Sequence, residues 1–142
     1  MGAKEEVTRL VLDTNVVVSA LLFRSEASAL FDAWRVGRYR LAASESVLDE
    51  YARVLKYPKF RLSRQEAAAV MEHLVLPSCD LFRVPPGPRF FADPDDDKFI
   101  HCALAAGVAA LVSGDRQVLS LGPRCEGVTI ISVSDACARF CR

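Results

Sequence analysis

The sequence predicts an α/β protein, a three-layer α/β/α sandwich around a central parallel sheet of about four to five strands. Three observations carry that expectation. Apolar runs of strand length alternate along the chain with segments of helical period. Those runs are apolar at successive positions, as strands covered on both faces must be. Two of them, residues 10–12 and 108–112, lead into carboxylates, Asp13 and Asp115, at the edge where open α/β sheets build their sites.

Residues 9–13 read as the first strand. Residues 16–22 follow as helix, because Asp13-Thr14-Asn15 supplies cap residues and a turn. Residues 25–36 make a clearer helix, with Ala29, Leu30, Ala33 and Trp34 on one face and Gly37 as its stop. Residues 39–43 are the second strand. A helix then runs over residues 46–56, with Val47, Tyr51, Val54 and Leu55 as its stripe and Pro58 beyond its end. Ser63 and Glu66 form a capping box for a helix through Met71 and Leu74. Residues 81–84 read as an edge strand, and residues 85–88 as a rigid proline-rich loop. A helix carrying Phe99, Ile100, Ala103 and Leu104 stops at Gly107. One or two helical turns follow Asp115. Residues 128–133 are the last strand, and Ser134-Asp135 is placed as the cap of a terminal helix.

The 142 residues predict a single domain with its core at about residues 7–133. The longest apolar runs are strand-sized, and the first residues carry no signal-peptide apolar region, so no membrane partner and a cytoplasmic location are expected. Five cysteines without a C-x-x-C read as free thiols of a reducing compartment. The formal net charge of zero hides an uneven spread. Arg53, Lys56, Lys59, Arg61 and Arg64 crowd one stretch, while Asp93, Asp95, Asp96 and Asp97 crowd another.

Each acid alone has an ordinary explanation. An aspartate ahead of a helix caps it, worth about 1 kcal/mol, and a strand-end aspartate often serves a turn. Glu50 could be a solvated helix residue. Gathered at one sheet edge, they behave differently. Two carboxylates about 4 Å apart repel by roughly 4 kcal/mol at an effective dielectric near 20, so a cluster must protonate or bind a cation. Oxygen donors without converging His or Cys suit Mg²⁺ or Mn²⁺ better than zinc. Such an ion fits hydrolysis of a phosphodiester.

The order L-V-L-D13-T-N, D49-E50 on a helix ending in V-L, D-D97-K-F-I and V-S-G-D115 resembles the PIN domain. The match is closest to small prokaryotic stand-alone members, which include toxin–antitoxin ribonucleases. The resemblance implies an endoribonuclease with one or two Mg²⁺ or Mn²⁺ ions. Asp13, Glu50, Asp97 and Asp115 would then be both the metal ligands and the catalytic acids, with Asp96 the rival for the place of Asp97. Asn15 would orient Asp13, and Ser113 stands where the family often has Thr or Ser. An RNA substrate, a cognate antitoxin and a homodimer are the partners it implies.

Arg53, Lys56, Lys59, Arg61 and Arg64, with Lys98 and Arg116, are the candidates for holding an RNA backbone, against ordinary solvated charge. His101 reads as a pocket-wall or surface residue, and His73 as a surface one. Trp34 and Phe31 belong to core or dimer interface rather than to a base-stacking platform. An aspartyl-phosphate enzyme would want a second acid where Asn15 stands, and a receiver-like module a late lysine that has no good position here. The remaining alternative is a catalytically weak or inactive metal-containing RNA-binding module. No residue singles out a 2′-hydroxyl reader, so DNA stays open as a substrate.

Overall fold

The structure is a computed structural model that describes residues 7–91 and 97–142. The chain runs β1 (Arg9–Leu12), α1 (Thr14–Leu22), α2 (Ser28–Arg35), β2 (Arg40–Ala43), α3 (Glu45–Leu55), α4 (Arg64–Val70), β3 (Cys79–Leu81), α5 (Lys98–Ala106), β4 (Ala110–Val112), α6 (Arg116–Leu119), β5 (Arg124–Cys125), β6 (Val128–Ile131) and α7 (Val133–Phe140). A 3-10 turn, Pro58–Phe60, follows α3, and a π-helical stretch, Met71–Val75, extends α4.

Among the described residues the strands form one six-stranded sheet in the order β3-β2-β1-β4-β6-β5. The first five are parallel, and β5 runs antiparallel to β6. The helices flank this sheet, with α5 packed across β1, β2, β4 and β6. From β1 the chain moves one way to β2 and β3, while β4 and β6 lie on the other side. The gap between β1 and β4 is therefore the topological switch point, where the carboxyl ends of the strands leave a crevice.

The α/β class, the alternation and most elements fall where the residues place them. Leu10, Val11, Leu12, Ala110, Leu111 and Val112 are all completely buried, as central parallel strands require. The Ser63–Glu66 capping box forms in both directions, and the residue 16–22 segment is helix, begun two residues earlier by the Asp13 cap. Trp34 is core, its Nε1 donating to the Leu74 carbonyl at 2.9 Å.

Four details differ. The edge strand β3 lies two residues earlier than expected. The sheet gains β5, joined to β6 by Glu126 and Gly127, both at positive φ (50° and 86°), the geometry of a tight type I′ hairpin. The cap of α7 is Ser132, whose Oγ accepts from the Asp135 amide, rather than Ser134. On α5, Cys102 takes the inward position, while Leu104 is exposed. All five cysteines are free, and burial pushes the Cys102 thiol up to about 12, which leaves it unreactive at neutral pH.

The far end of the sheet from the crevice is clamped by charge. Arg9 at the start of β1 and Arg40 at the start of β2 hold the two oxygens of Asp80 in β3, at 2.8 and 2.9 Å. Burial pushes the Asp80 carboxyl up, but the two arginines' hydrogen bonds and charges together outweigh it and hold the group below its ordinary value. A depressed folded pKa means stability that is present above the unfolded value and lost as pH falls through the folded one. Asp80→Ala is thus expected to cost about 1–2 kcal/mol at neutral pH. Thermal melts should show wild type and variant converging as pH is lowered below 3.8. A gap that persists there would mean the loss is packing, not charge. Among the described residues no helix is long and apolar enough to cross a membrane.

Candidate active site

The crevice between β1 and β4 holds the first and last of the expected acids. Leu12 pairs in register with Val112, and the Asp13 amide donates to the Val112 carbonyl at 3.1 Å. This pairing brings Asp13 and Asp115 together across a hundred residues of chain. Asp13 caps α1, its Oδ1 accepting from the Val16 amide at 3.1 Å. Its Oδ2 accepts from the Ser113 hydroxyl. The same Ser113 oxygen accepts from the Asp115 amide at 3.0 Å, so one fully buried serine ties the two strand ends into a unit. The Asp13 carboxylate is therefore held by Ser113 and the Val16 amide, and Asn15, which was expected to orient it, stands exposed at the pocket wall.

Burial raises the pKa of Asp13. The Ser113 hydrogen bond and the Val16 amide oppose the rise, and the charge of Asp115 adds to it. Asp115 itself is exposed and caps α6, accepting from the Gln117 amide at 2.8 Å.

Glu50 arrives from α3. Its Oε2 accepts from the Thr14 hydroxyl, and its Oε1 lies 3.0 Å from Lys98 Nζ and 3.6 Å from Arg53 Nη2. With 11% of its side chain exposed, Lys98 is a partner of the acid rather than a solvated helix lysine. Tyr51, wholly buried one residue further on, donates its hydroxyl to the Leu12 carbonyl and so braces the strand end that carries Asp13.

Asp13, Glu50 and Asp115 line one pocket of about 260 Å³, with Asn15, Arg53 and Lys59 also on its walls. Asp97 does not line it. This aspartate is 1% exposed and starts α5, yet its side chain makes no helix cap. Its Oδ1 instead accepts from the amides of Phe90 and Phe91, at 2.9 and 3.0 Å, fastening the preceding loop. Asp93, Asp95 and Asp96 lie outside the described residues. Lys56, Arg61, Arg64 and Arg116 are absent from the pocket wall. His101 faces a second hollow of about 700 Å³, which Lys98 also lines, and donates to the Pro88 carbonyl at 2.6 Å. His73 is a surface residue.

Several wall residues were not singled out from the sequence as site residues, among them Thr14, Tyr57, Phe60, Phe91 and Phe99. The signal for two of them was present, since Y57-P-K-F60 interleaves aromatics with a cation just after a helix.

Among the described residues no three acid, imidazole or thiol groups stand close enough together to grip a metal ion. The donor chemistry nevertheless fits a hard dication. Three carboxylates from three elements face one polar pocket, and Asp13 and Asp115 already repel each other there. As the side chains stand, Lys98, Thr14 and Ser113 take up the lone pairs such an ion would use.

The fold and this crevice define an α/β protein with an acidic site at its switch point, and comparison with known proteins gives the class. The family model described as PIN domain matches residues 9–117. The chain belongs to the PIN domain family, whose members are generally metal-dependent nucleases and so hydrolases. The crystal structure of PAE2754 from Pyrobaculum aerophilum is similar, with a TM-score of 0.61 and 24% identity over 94% of this chain and 95% of that one. At that identity the likeness is one of fold. No curated protein matches the chain.

Proposed function

We propose that this protein is an endoribonuclease that hydrolyses RNA phosphodiester bonds with the help of Mg²⁺ or Mn²⁺. The observation that carries the proposal is the meeting of Asp13, Glu50 and Asp115 in one pocket beside Arg53 and Lys59, with Lys98 on Glu50. Three acids brought from distant parts of the chain to a switch-point crevice have no structural need to be neighbours, whereas their repulsion is offset once a dication is bound.

In this mechanism Asp13, Glu50 and Asp115 would hold the ion. A bound ion supplies positive charge that offsets charge growing on the phosphate and makes water a better nucleophile. Ser113 fixes the direction of the Asp13 carboxylate and the position of Asp115. Asp97 stands outside this acid set and holds the residue 90–91 loop, whose Phe91 forms part of the pocket wall. Lys98, drawn to Glu50, and Arg53, which contacts the same carboxylate, would meet the oxygens of the bound backbone.

The test is incubation of end-labelled RNA with Mg²⁺ or Mn²⁺, beside a chelator control. Cleavage that leaves 5′-phosphates and stops with the chelator is the expected result. RNA retention without cleavage under every metal condition would favour a binding module instead. A cognate antitoxin and a homodimer belong to the same proposal. Growth arrest on expression, relieved by a neighbouring small gene, would support the toxin role; harmless expression would point to RNA processing.

A further inference from the structure

The hollow of about 700 Å³ has no part in the mechanism above, yet one ion pair links it to the acidic pocket. Lys98 lines the hollow, while its Nζ lies 3.0 Å from Oε1 of Glu50, a wall residue of the acidic pocket. Only 11% and 15% of these two side chains are exposed. A dication on Glu50 would meet this ammonium as a like charge. A buried cation stripped of its carboxylate is costly to leave alone. Arg53, the other cation on Glu50, is 59% exposed and can turn to water. Lys98 instead needs a second anion before the metal can have Glu50.

The hollow is built to hold one. Among the described residues its wall carries Arg83, Lys98 and His101 against a single acid, Glu45, with the hydroxyl of Ser46 close by. Lys98 and His101 are three residues apart on α5 and so share a helix face. His101 is fixed in place. Its Nε2 is bonded to the Pro88 carbonyl at 2.6 Å, and a Cβ at Gly87 would stand 2.9 Å from its ring. The proline-rich loop is thus seated on the imidazole, and its Pro85 and Pro86 join Phe82 and Val84 as an apolar side. A guanidinium and an ammonium suit phosphate oxygens. An apolar side suits the rings such a phosphate carries, and the volume is that of a small-ligand site.

We propose that this hollow binds a nucleoside 5′-phosphate, free or as the 5′ end of a cut strand, and that the phosphate draws Lys98 off Glu50 and opens Glu50 to the metal. The proposal rests on the nuclease reading, whose expected products carry such a phosphate, and adds a second site that tunes the first. Arg83 and Lys98 take the phosphate, and the apolar side takes the nucleoside. Ligand and ion then favour each other, because each releases Lys98 for the other's benefit. By linkage the nucleotide tightens the metal by the same factor as the metal tightens the nucleotide.

The experiment uses the full chain as wild type, Arg83→Ala and Lys98→Met. Adenosine 5′-monophosphate, adenosine, inorganic phosphate, and a short RNA with and without a 5′-phosphate are titrated in chelator and followed by amide NMR shifts. Mn²⁺ affinity is then read by EPR with and without the nucleotide. Wild type should bind the nucleotide without metal, shifting Ser46 and Arg83 rather than Asn15 and Gln117. Adenosine should bind poorly. Arg83 is exposed, so its loss spares the fold, and Arg83→Ala should weaken the nucleotide about ten- to a hundredfold. The RNA pair separates the sources: a phosphate-dependent RNA shift assigns the strand end, and a response to nucleotide alone assigns the free form. Mn²⁺ should bind wild type about five- to 150-fold tighter with nucleotide present. Arg83→Ala should show no such gain, which also controls for metal held by nucleotide in solution. Lys98→Met should bind Mn²⁺ more tightly than wild type and ignore the nucleotide. No binding in chelator, shifts confined to the acidic pocket, an Arg83→Ala protein that binds as wild type does, or a Mn²⁺ affinity indifferent to nucleotide would overturn the proposal. Should wild type bind no Mn²⁺, the nuclease reading fails and the coupling with it, while the metal-free titration still decides the hollow.

Discussion

Asp13→Asn is expected to leave the protein folded and no less stable while lowering metal-dependent cleavage about a thousandfold or more. The two halves of that result come from one fact. Burial and the neighbouring charge of Asp115 raise the Asp13 pKa, so the fold disfavours the ionised carboxylate that metal chemistry needs. An acid whose folded pKa lies above its unfolded value of 3.8 takes stability away as pH rises between the two. Asparagine removes that loss at neutral pH and can still accept from the Val16 amide and pair with Ser113. In chelator, melting curves of wild type and variant should therefore coincide at low pH, with the variant level or ahead near pH 7. Added Mg²⁺ or Mn²⁺ should raise the wild-type Tm, by the equivalent of about 2.7 kcal/mol at a hundred times Kd, and leave the variant unmoved. An asparagine variant that cleaves normally, or that gains the same stability from metal, removes Asp13 from the metal site.

What the sequence could show of this arrangement follows how local the cause is. β1 and β4 were legible because strands buried on both faces must be apolar at every position, and each is followed by its acid. Their adjacency was not, because the register of Leu12 with Val112 belongs to the sheet order and not to any stretch of chain. A reader of residues alone can say that two strands end in carboxylates; only the switch point between β1 and β4 makes those carboxylates neighbours. The β5–β6 hairpin escaped for a chemical reason: its turn is Glu126-Gly127, and the usual mark of a type I′ turn is Asn or Asp before the glycine. On α5 Phe99, Ile100 and Ala103 face inward as expected and only the fourth position was misplaced, since Leu104 and Cys102 are both apolar and only packing against the sheet chooses between them. Ser113 was noticed because it stands where the family often has Thr or Ser, yet its bond to an aspartate a hundred residues away is tertiary. Tyr57 and Phe60 needed the 3-10 turn to bring them round, and no periodicity encodes that.

Asp97 is where the sequence and the geometry ask different things of one residue. Its position matched the family's acid at the head of the central helix, but its Oδ1 holds two backbone amides and its side chain is buried away from the pocket wall. Asp97→Ala removes the acceptor for both amides and is expected to destabilise by about 2–4 kcal/mol. Asp97→Asn is the sharper variant, because a single amide oxygen can accept the same two bonds. It should stay within about 1 kcal/mol of wild type, the difference between charged and neutral hydrogen bonds. If Asp97 acts by aligning its loop and the helix start in a charge-dependent way, cleavage by the asparagine variant should fall about 10–100-fold. A loss as deep as that of Asp13→Asn would place Asp97 on the metal itself. Full activity in a stable Asp97→Asn protein would show that the buried carboxylate is only a loop fastening, with the chemistry left to Asp13, Glu50 and Asp115.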